Sequence, residues 1–574
     1  MGPGQPSNAV RDSIVALALA LLLGLAWIIR DHVPLAALRL PDTDDGMRLQ
    51  QVRDWLGGQG FADLAQHRLG PPPGLEMHWS RLADLLPAGL ILLLTPVLGN
   101  HAATVAAVAM VPLLWFAVAL ILVAAIARGL GISDTMAAVI AALAFPATTL
   151  FFPGRIDHHN LQMVLVLALL WATLGQGSLR DGAVAGLATM LSLVVGLETA
   201  PLLAAGGLAI ALRWWRGDAG AQARMTGYAA ALLLALAAGR PLFASSGWAY
   251  PACDGFTAVL WRAAVLVALA PTAMAIAGFA TTSRKRRLDV MLTAGALAIG
   301  AAALVSPACL HPYGAVDPLL ARVWLAQVAE AQSVLSAPVW HSIAYLGLAL
   351  TGLAAVLWYA WRTRTTDAAI LAGFQSVAVL VALTQLRGAY AAALLAAPAL
   401  AAMIATARTR GPLPLAAAWL ASAGMVYAFL GDALAPRAIA AAGPDCTAPA
   451  ALARVAALPP GLVAAPIDLS GFLLPATRHR FLAGPYHRNT QGNRAMLDLF
   501  LSPPVQAEAT ARRWGVDYVA LCPDGLGELG GAGNDTNRLA GALHAGRVPG
   551  WLAQVSRPGE APMVYRLVGR GTTH

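Results

Sequence analysis

The stretch GRIDHHNLQMVLVLALLWATLGQGSLR, residues 154–180, carries the pattern that decides the fold. A polar mouth with Asp157, His158 and His159 opens onto the apolar run MVLVLALLWATL, and a short loop with Arg180 closes it. The stretch reads as a membrane-spanning helix at about 158–175. Its arginine end points to the cytoplasm, because short cytoplasmic loops are enriched in Lys and Arg. Its acid and histidine end then faces outward.

The same pattern recurs on both sides. Spans are expected at about 12–30, 101–127, 133–152, 158–175, 181–196, 199–213, 225–243, 257–281, 288–307, 341–361, 367–386, 389–407 and 412–432. The apolar segment at about 84–99 contains Pro87 and Pro96 and reads as interfacial. With that segment left out, Arg128, Arg180, Arg213, Arg216, Arg224, the run Arg284-Lys285-Arg286-Arg287, Arg362, Arg364, Arg408 and Arg410 all fall on one side. That agreement sets about thirteen spans, with the N-terminus inside and the C-terminus outside. The first span lacks a small-residue cleavage site after it and reads as a retained anchor.

Composition supports this reading. Of 574 residues, 58% are hydrophobic and 12% charged, and the mean hydropathy is +0.65. Ordinary soluble domains carry about 25% charged residues, so a soluble enzyme, a disordered chain and a fibrous protein are all excluded. The net charge of +9 resides in arginines of short loops, Lys285 being the only lysine. That is an orientation signal rather than a nucleic-acid footprint, and no nucleic-acid partner is expected.

After residue 432 short apolar runs alternate with Gly, Pro and Asn. The expected organisation is a transmembrane domain over 1–432, including an outer loop at 31–100, and a soluble α/β domain over 433–574 on the outer side. The glycine-rich tip 525–534 lacks nucleotide-binding spacing. Cys253, Cys309, Cys446 and Cys522 all fall outside, with no CxxC to indicate zinc. Cys446–Cys522 is the first choice of disulfide and Cys253–Cys309 the second; free buried thiols are an equal alternative.

Ionisable residues at a membrane boundary are costly unless used. Four clusters stand there. The first is Asp42, Asp44 and Asp45 in PDTDDGMRLQQVRDWL, oxygen donors suited to a hard divalent cation; the alternative is a solvated turn with an Asp helix cap. The second is Asp157 with His159, a donor pair suited to Mn2+ or Mg2+, or else a capped helix with histidines at lipid headgroups. The third is Glu330 with Gln332, in a loop whose Trp324 and Trp340 fit an interfacial belt. The fourth is Arg387 in TQLRGAY, an outer arginine whose guanidinium fork fits phosphate oxygens or snorkels to anionic lipid. Glu198 in GLET is a further outer acid, read as a helix cap or as part of the site.

These clusters, in this order, resemble the GT-C superfamily of membrane glycosyltransferases, and the oligosaccharyltransferase catalytic subunit within it. The likeness covers roughly residues 12–432. DDGMRLQQVRDWL is similar to the family's first acidic loop, with Asp44 at the essential aspartate and Asp45 next. DHH at 157–159 is similar to the second acidic motif, whose Asp and second His bind metal. VDPLLARVWLAQVAEAQ looks like the loop carrying the family's glutamate, here Glu330, and Arg387 matches its phosphate-contacting arginine. RLGPPPGLEMHWSRLADLLPAG is similar to the segment before the interfacial helix.

The resemblance implies a polytopic α-helical membrane protein of GT-C fold with a periplasmic α/β domain, in a bacterial inner membrane. It implies a polyprenyl-linked sugar donor among membrane lipids, and a divalent metal, Mg2+ or Mn2+, held by Asp44, Asp157, His159 and Glu330. Asp44, Asp45 and Glu330 are the expected catalytic acids, with Arg387 and His158 on the donor phosphate. Trp214-Trp215 is followed by Arg216, and no Trp-Trp-Asp motif follows residue 432. AGPYHRN stands there instead, so Tyr486, His487, Arg488 and Glu198 are the candidate acceptor or lid residues. The acceptor is left as a glycan, a lipid or a protein site. Aminoarabinose and mannosyl transferases of the superfamily share the first acidic motif. The rival reading is a transporter or flippase of lipid-linked sugars. It would place charges near mid-span and show internal repeats, neither of which is visible.

Overall fold

The computed structural model describes residues 6–311, 317–436, 444–523, 525–526 and 531–569, so the tip at 525–534 falls partly outside them. The chain divides into two compact units. One comprises 1–32, 79–314 and 328–436; the other comprises 33–78, 315–327 and 437–574.

The first unit is a helical bundle. Each span expected from the sequence coincides with helix in the structure, but not each is long. Among the described residues, eight helices are long and apolar enough to cross a membrane, or nine if the pair Pro412–Ser422 and Gly424–Leu434, bent by 70°, is one span. The expected thirteen also counted 133–152, 158–175, 181–196 and 199–213. There the helices are Asp134–Ala142, His159–Thr173, Leu179–Val195 and Ala200–Arg216, of 9, 15, 17 and 17 residues. At about 1.5 Å per residue, these fall short of a hydrocarbon core about 30 Å thick. Hydropathy cannot see the breaks, which polar and Gly-Pro turns introduce at 143–158, 174–178 and 196–199. The segment read as interfacial is the 14-residue helix Leu85–Leu98.

Helix Gly388–Arg408 is 83% buried across its apolar window and forms the centre of the bundle, whereas Arg284–Val305 is 6% buried and lies at the edge. The central helix reads GAYAAALLAAPALAAMIATAR, and its alanines let neighbours approach closely. Helices Leu179–Val195 and Ala221–Phe243 meet through Gly182 and Gly186. A Cβ on Gly182 would stand 2.0 Å from the Arg224 carbonyl oxygen. The Cys253–Cys309 disulfide ties the ends of the helical pair Ala258–Ala280 and Arg284–Val305.

The second unit holds a mixed five-stranded sheet of order β4-β3-β5-β7-β6, with β3 Leu462–Ala464, β4 Arg480–Phe481, β5 Tyr518–Leu521, β6 Leu552–Gln554 and β7 Met563–Leu567. The short hairpin of β1 Ala65–Gln66 and β2 Leu75–Glu76 belongs to it too. β3 pairs in parallel with β4 and β5. Both β3 and β5 are buried at every residue, as parallel strands covered on both faces should be.

Backbone bonds explain why 33–78 joins this unit. Phe481 N–H donates to the Arg68 carbonyl at 2.7 Å and Gly70 N–H to the Phe481 carbonyl at 2.8 Å, so this loop lines the β4 edge. Arg68 donates to the carbonyls of Leu474 and Thr477 at 3.0 and 2.7 Å. Segment 317–323 joins through Leu320, 1% exposed in the same core, and through the pair Asp317–Arg494 at 3.0 Å. The Cys446–Cys522 disulfide closes a loop of 76 residues in this unit. Cys446→Ser is expected to cost about 2–4 kcal/mol, read as a lower melting temperature and faster proteolysis of the tail in the full chain.

Candidate active site

The bundle brings three distant segments of chain together. Asp157 precedes helix His159–Thr173, where the helix dipole favours a carboxylate. Its Oδ1 is 2.6 Å from His158 Nδ1, and its Oδ2 is 3.5 Å from His159 Nε2. His159 Nε2 is also 3.8 Å from Glu330 Oε1, and Arg387 Nη1 is 4.0 Å from the same oxygen. Backbone bonds hold Glu330 there. Arg387 N–H donates to the Glu330 carbonyl and Leu386 N–H to the Gln332 carbonyl, each at 2.9 Å. The loop bearing the glutamate is thus stitched to the turn bearing the arginine.

Asp157, His158 and His159 each offer one ligand atom within 4.8 Å of the others. The donor set also tests whether an ion fits. A divalent cation with bonds of about 2.1 Å touches donors up to about 4 Å apart, and His159 Nε2 lies 3.5 and 3.8 Å from the Asp157 and Glu330 oxygens. Two carboxylates and one imidazole are donors that a divalent cation takes.

His158 has a different environment. Its second nitrogen, Nε2, stands 3.5 Å from Glu198 Oε1. Burial alone would lower its pKa, but Asp157 and Glu198 outweigh that and push it up to about 10. Burial would raise Glu198, and the facing His158 reverses this and holds it well below the usual carboxylate range. So His158 stands between two carboxylates, Asp157 on one nitrogen and Glu198 facing the other. Glu198 does not cap its helix either: the N-cap of Ala200–Arg216 is Thr199, and no side chain caps it.

His159, Glu198 and Arg387 line one cavity with Gln162, Thr199, Pro201 and Tyr390. An apolar groove runs between helices Ala200–Arg216 and Thr366–Thr384, lined by Pro201, Leu208, Leu212, Ile370, Phe374 and Val377, and reaches Arg213 and Arg216. Pro201 lines both hollows. Arg213 pairs with Asp367 at the groove's far end.

The second unit holds the other candidates. Asp44 and Asp45 occupy the first turn of helix Thr43–Leu56, capped by Asp42, whose Oδ1 accepts the Asp44 N–H at 3.3 Å. Asp45 is fully buried. Helix Thr43–Leu56 packs on Ile467–Ala476, where a Cβ on Gly471 would meet both Thr43 and Pro485. This puts the acidic turn beside the Pro485-Tyr486-His487 segment. His487 faces His78 with ring centroids 4.9 Å apart, and Arg488 donates to the Glu76 and Met77 carbonyls at 3.3 and 3.4 Å. The segment follows β4, at the carboxyl ends of the parallel strands, where open α/β sheets place their sites.

Sequence reasoning passed over Gln162, Tyr390 and Trp79. Gln162 is a buried amide one turn into an apolar helix, three residues after His159 and so on its face. That was the readable signal. Trp79 lies 6.1 Å from the His158 ring, which no local pattern announces.

No protein-family model and no curated protein sequence matches the chain. Solved structures do. The archaeal oligosaccharyltransferase AglB from Archaeoglobus fulgidus, in complex with an inhibitory peptide and a dolichol-phosphate, aligns at TM-score 0.60 and 16% identity over 89% of this chain and 69% of its own. The chain shares the fold of that structure. The A. fulgidus enzyme tethered to an acceptor peptide with an NVT sequon gives TM-score 0.61 at 15% identity over 91% and 70% of the two chains. Its complex with Zn and sulfate gives 0.57 at 15% over 88% and 68%. The resemblance expected from motif order therefore holds for the fold.

Proposed function

We propose that the protein is a membrane glycosyltransferase of GT-C type. It moves a sugar or oligosaccharide from a polyprenyl phosphate or pyrophosphate to an acceptor on the extracytoplasmic side, in a bacterial inner membrane. The observation that carries the reading is the meeting of Asp157, His159, Glu330 and Arg387, each within about 4 Å of the next, from segments up to 230 residues apart, beside a cavity that His159 and Arg387 line. The apolar groove from Pro201 to Arg216 suits an isoprenoid tail. Solved proteins of this fold hold a dolichol-phosphate in one case and Zn with sulfate in another.

Asp157, His159 and Glu330 hold the divalent cation, with Asp44 as a further ligand assigned from motif order. A bound cation supplies Lewis-acid neutralisation of charge on the leaving phosphate. Arg387 binds the phosphate oxygens through its guanidinium fork. His158 balances Asp157 and Glu198 rather than contacting phosphate. The acceptor nucleophile forms a bond to the anomeric carbon as the carbon–oxygen bond to phosphate breaks. Asp44 or Asp45 takes the acceptor's proton. Tyr486, His487 and Arg488 contribute to the acceptor side.

The test is transfer by the purified full chain from a polyprenyl-phosphate-linked sugar, with product followed by mass spectrometry. EDTA is expected to abolish transfer, and Mn2+ or Mg2+ to restore it. Asp44→Ala and Asp157→Ala are each expected to reduce it to background. Unchanged product in both single variants would end the enzyme reading.

A further inference from the structure

Five side chains at the bundle site close a ring. Asp157 Oδ1 meets His158 Nδ1 at 2.6 Å, and His158 Nε2 meets Glu198 Oε1 at 3.5 Å. Gln162 Nε2 donates to Glu198 Oε2 at 2.6 Å, and His159 Nδ1 meets Gln162 Oε1 at 3.0 Å. His159 Nε2 returns to Asp157 Oδ2 at 3.5 Å.

The ring fixes its own hydrogens. A carboxylate only accepts, so Gln162 must turn its NH2 toward Glu198 and its carbonyl toward His159. A carbonyl also only accepts, so His159 Nδ1 carries the proton. The lone pair is then on Nε2, which faces the Asp157 and Glu330 oxygens at 3.5 and 3.8 Å. Gln162 is fully buried, and both ends of its amide are engaged within the ring. The chain also leaves room for this arrangement. A Cβ on Gly196 would stand 2.3 Å from Glu198 Oε2 and 3.0 Å from Gln162 Nε2.

We propose that Gln162 and Glu198 are positioning residues that hold His159 in the Nδ1–H tautomer and so set the site's affinity for a divalent cation. This rests on reading Asp157, His159 and Glu330 as the cation's ligands. Partners that orient a ligating histidine typically matter 10–100-fold in metal affinity, by roughly that range.

The test is Mn2+ binding to the purified full chain, read by the EPR signal of free Mn2+ with no donor present. Gln162→Leu fills the same space with no polar atom. Gly196→Ala keeps all five side chains but displaces the Glu198 carboxylate. Both are expected to raise the Mn2+ Kd about 10- to 100-fold while the metal-free melting temperature of Gly196→Ala stays near wild type. Wild-type affinity in both variants overturns the positioning role and leaves the metal reading standing. A wild-type chain that binds no Mn2+ overturns the metal reading itself.

Discussion

Asp157→Asn is expected to lower the rate of sugar transfer by about 10²–10³-fold, the range lost when one charge-stabilising group is removed from an active site. The substitution keeps the shape of the side chain, so packing is a poor explanation for the loss. Both oxygens of Asp157 are committed: Oδ1 holds His158 at 2.6 Å and Oδ2 faces His159 Nε2 at 3.5 Å. An amide can imitate one of these, but not both. Its NH2 would donate toward a nitrogen that already carries hydrogen, or toward the lone pair meant for the cation. The removed charge also takes one of the two facing carboxylates from buried His158. Initial rates at saturating donor, with Mn2+ titrated in parallel, check this. A rate within twofold of wild type would take Asp157 out of the chemistry.

How far this site was readable before the structure depends on the kind of signal. Asp157, His159, Glu330 and Arg387 could be named because each is a charged or ligating residue at the mouth of an apolar run, where burial without use is expensive. Their convergence could not be read, because it depends on the loop at 330–334 docking on the turn 383–387 through backbone bonds that carry no side-chain signature. Glu198, 40 residues from His158 in sequence, faces its second nitrogen at 3.5 Å, a pairing that no local pattern announces. Helix positions followed from hydropathy, since each run is long and uniform. Helix lengths did not, because Pro146, the Gly175 turn and Gly196 break apolar runs without changing their average. In the tail, the mixed sheet with β7 antiparallel to β5 depends on pairings between segments some 45 residues apart. The recruitment of 33–78 and 317–323 to that unit has no compositional mark.

Replacing Arg387 separates charge from shape. Its main chain is fixed by the 2.9 Å bond to the Glu330 carbonyl, so a substitution changes the head group without moving the turn. Lysine keeps one positive charge near Glu330 but loses the planar fork that engages two phosphate oxygens at once. Hydrogen bonds to charged groups contribute about 1.5–3 kcal/mol each, which is roughly 10- to 100-fold. Arg387→Lys is therefore expected to weaken transfer about tenfold, mostly through a higher donor KM. Arg387→Met loses the charge as well, and its expected deficit is about 100-fold with kcat falling too, because the same group faces the charge that grows on the leaving phosphate. If the side chain only snorkels to anionic headgroups, both variants should transfer at the wild-type rate in detergent without anionic lipid. Steady-state kinetics against a polyprenyl-phosphate-linked sugar, run with and without such lipid, distinguish the two roles.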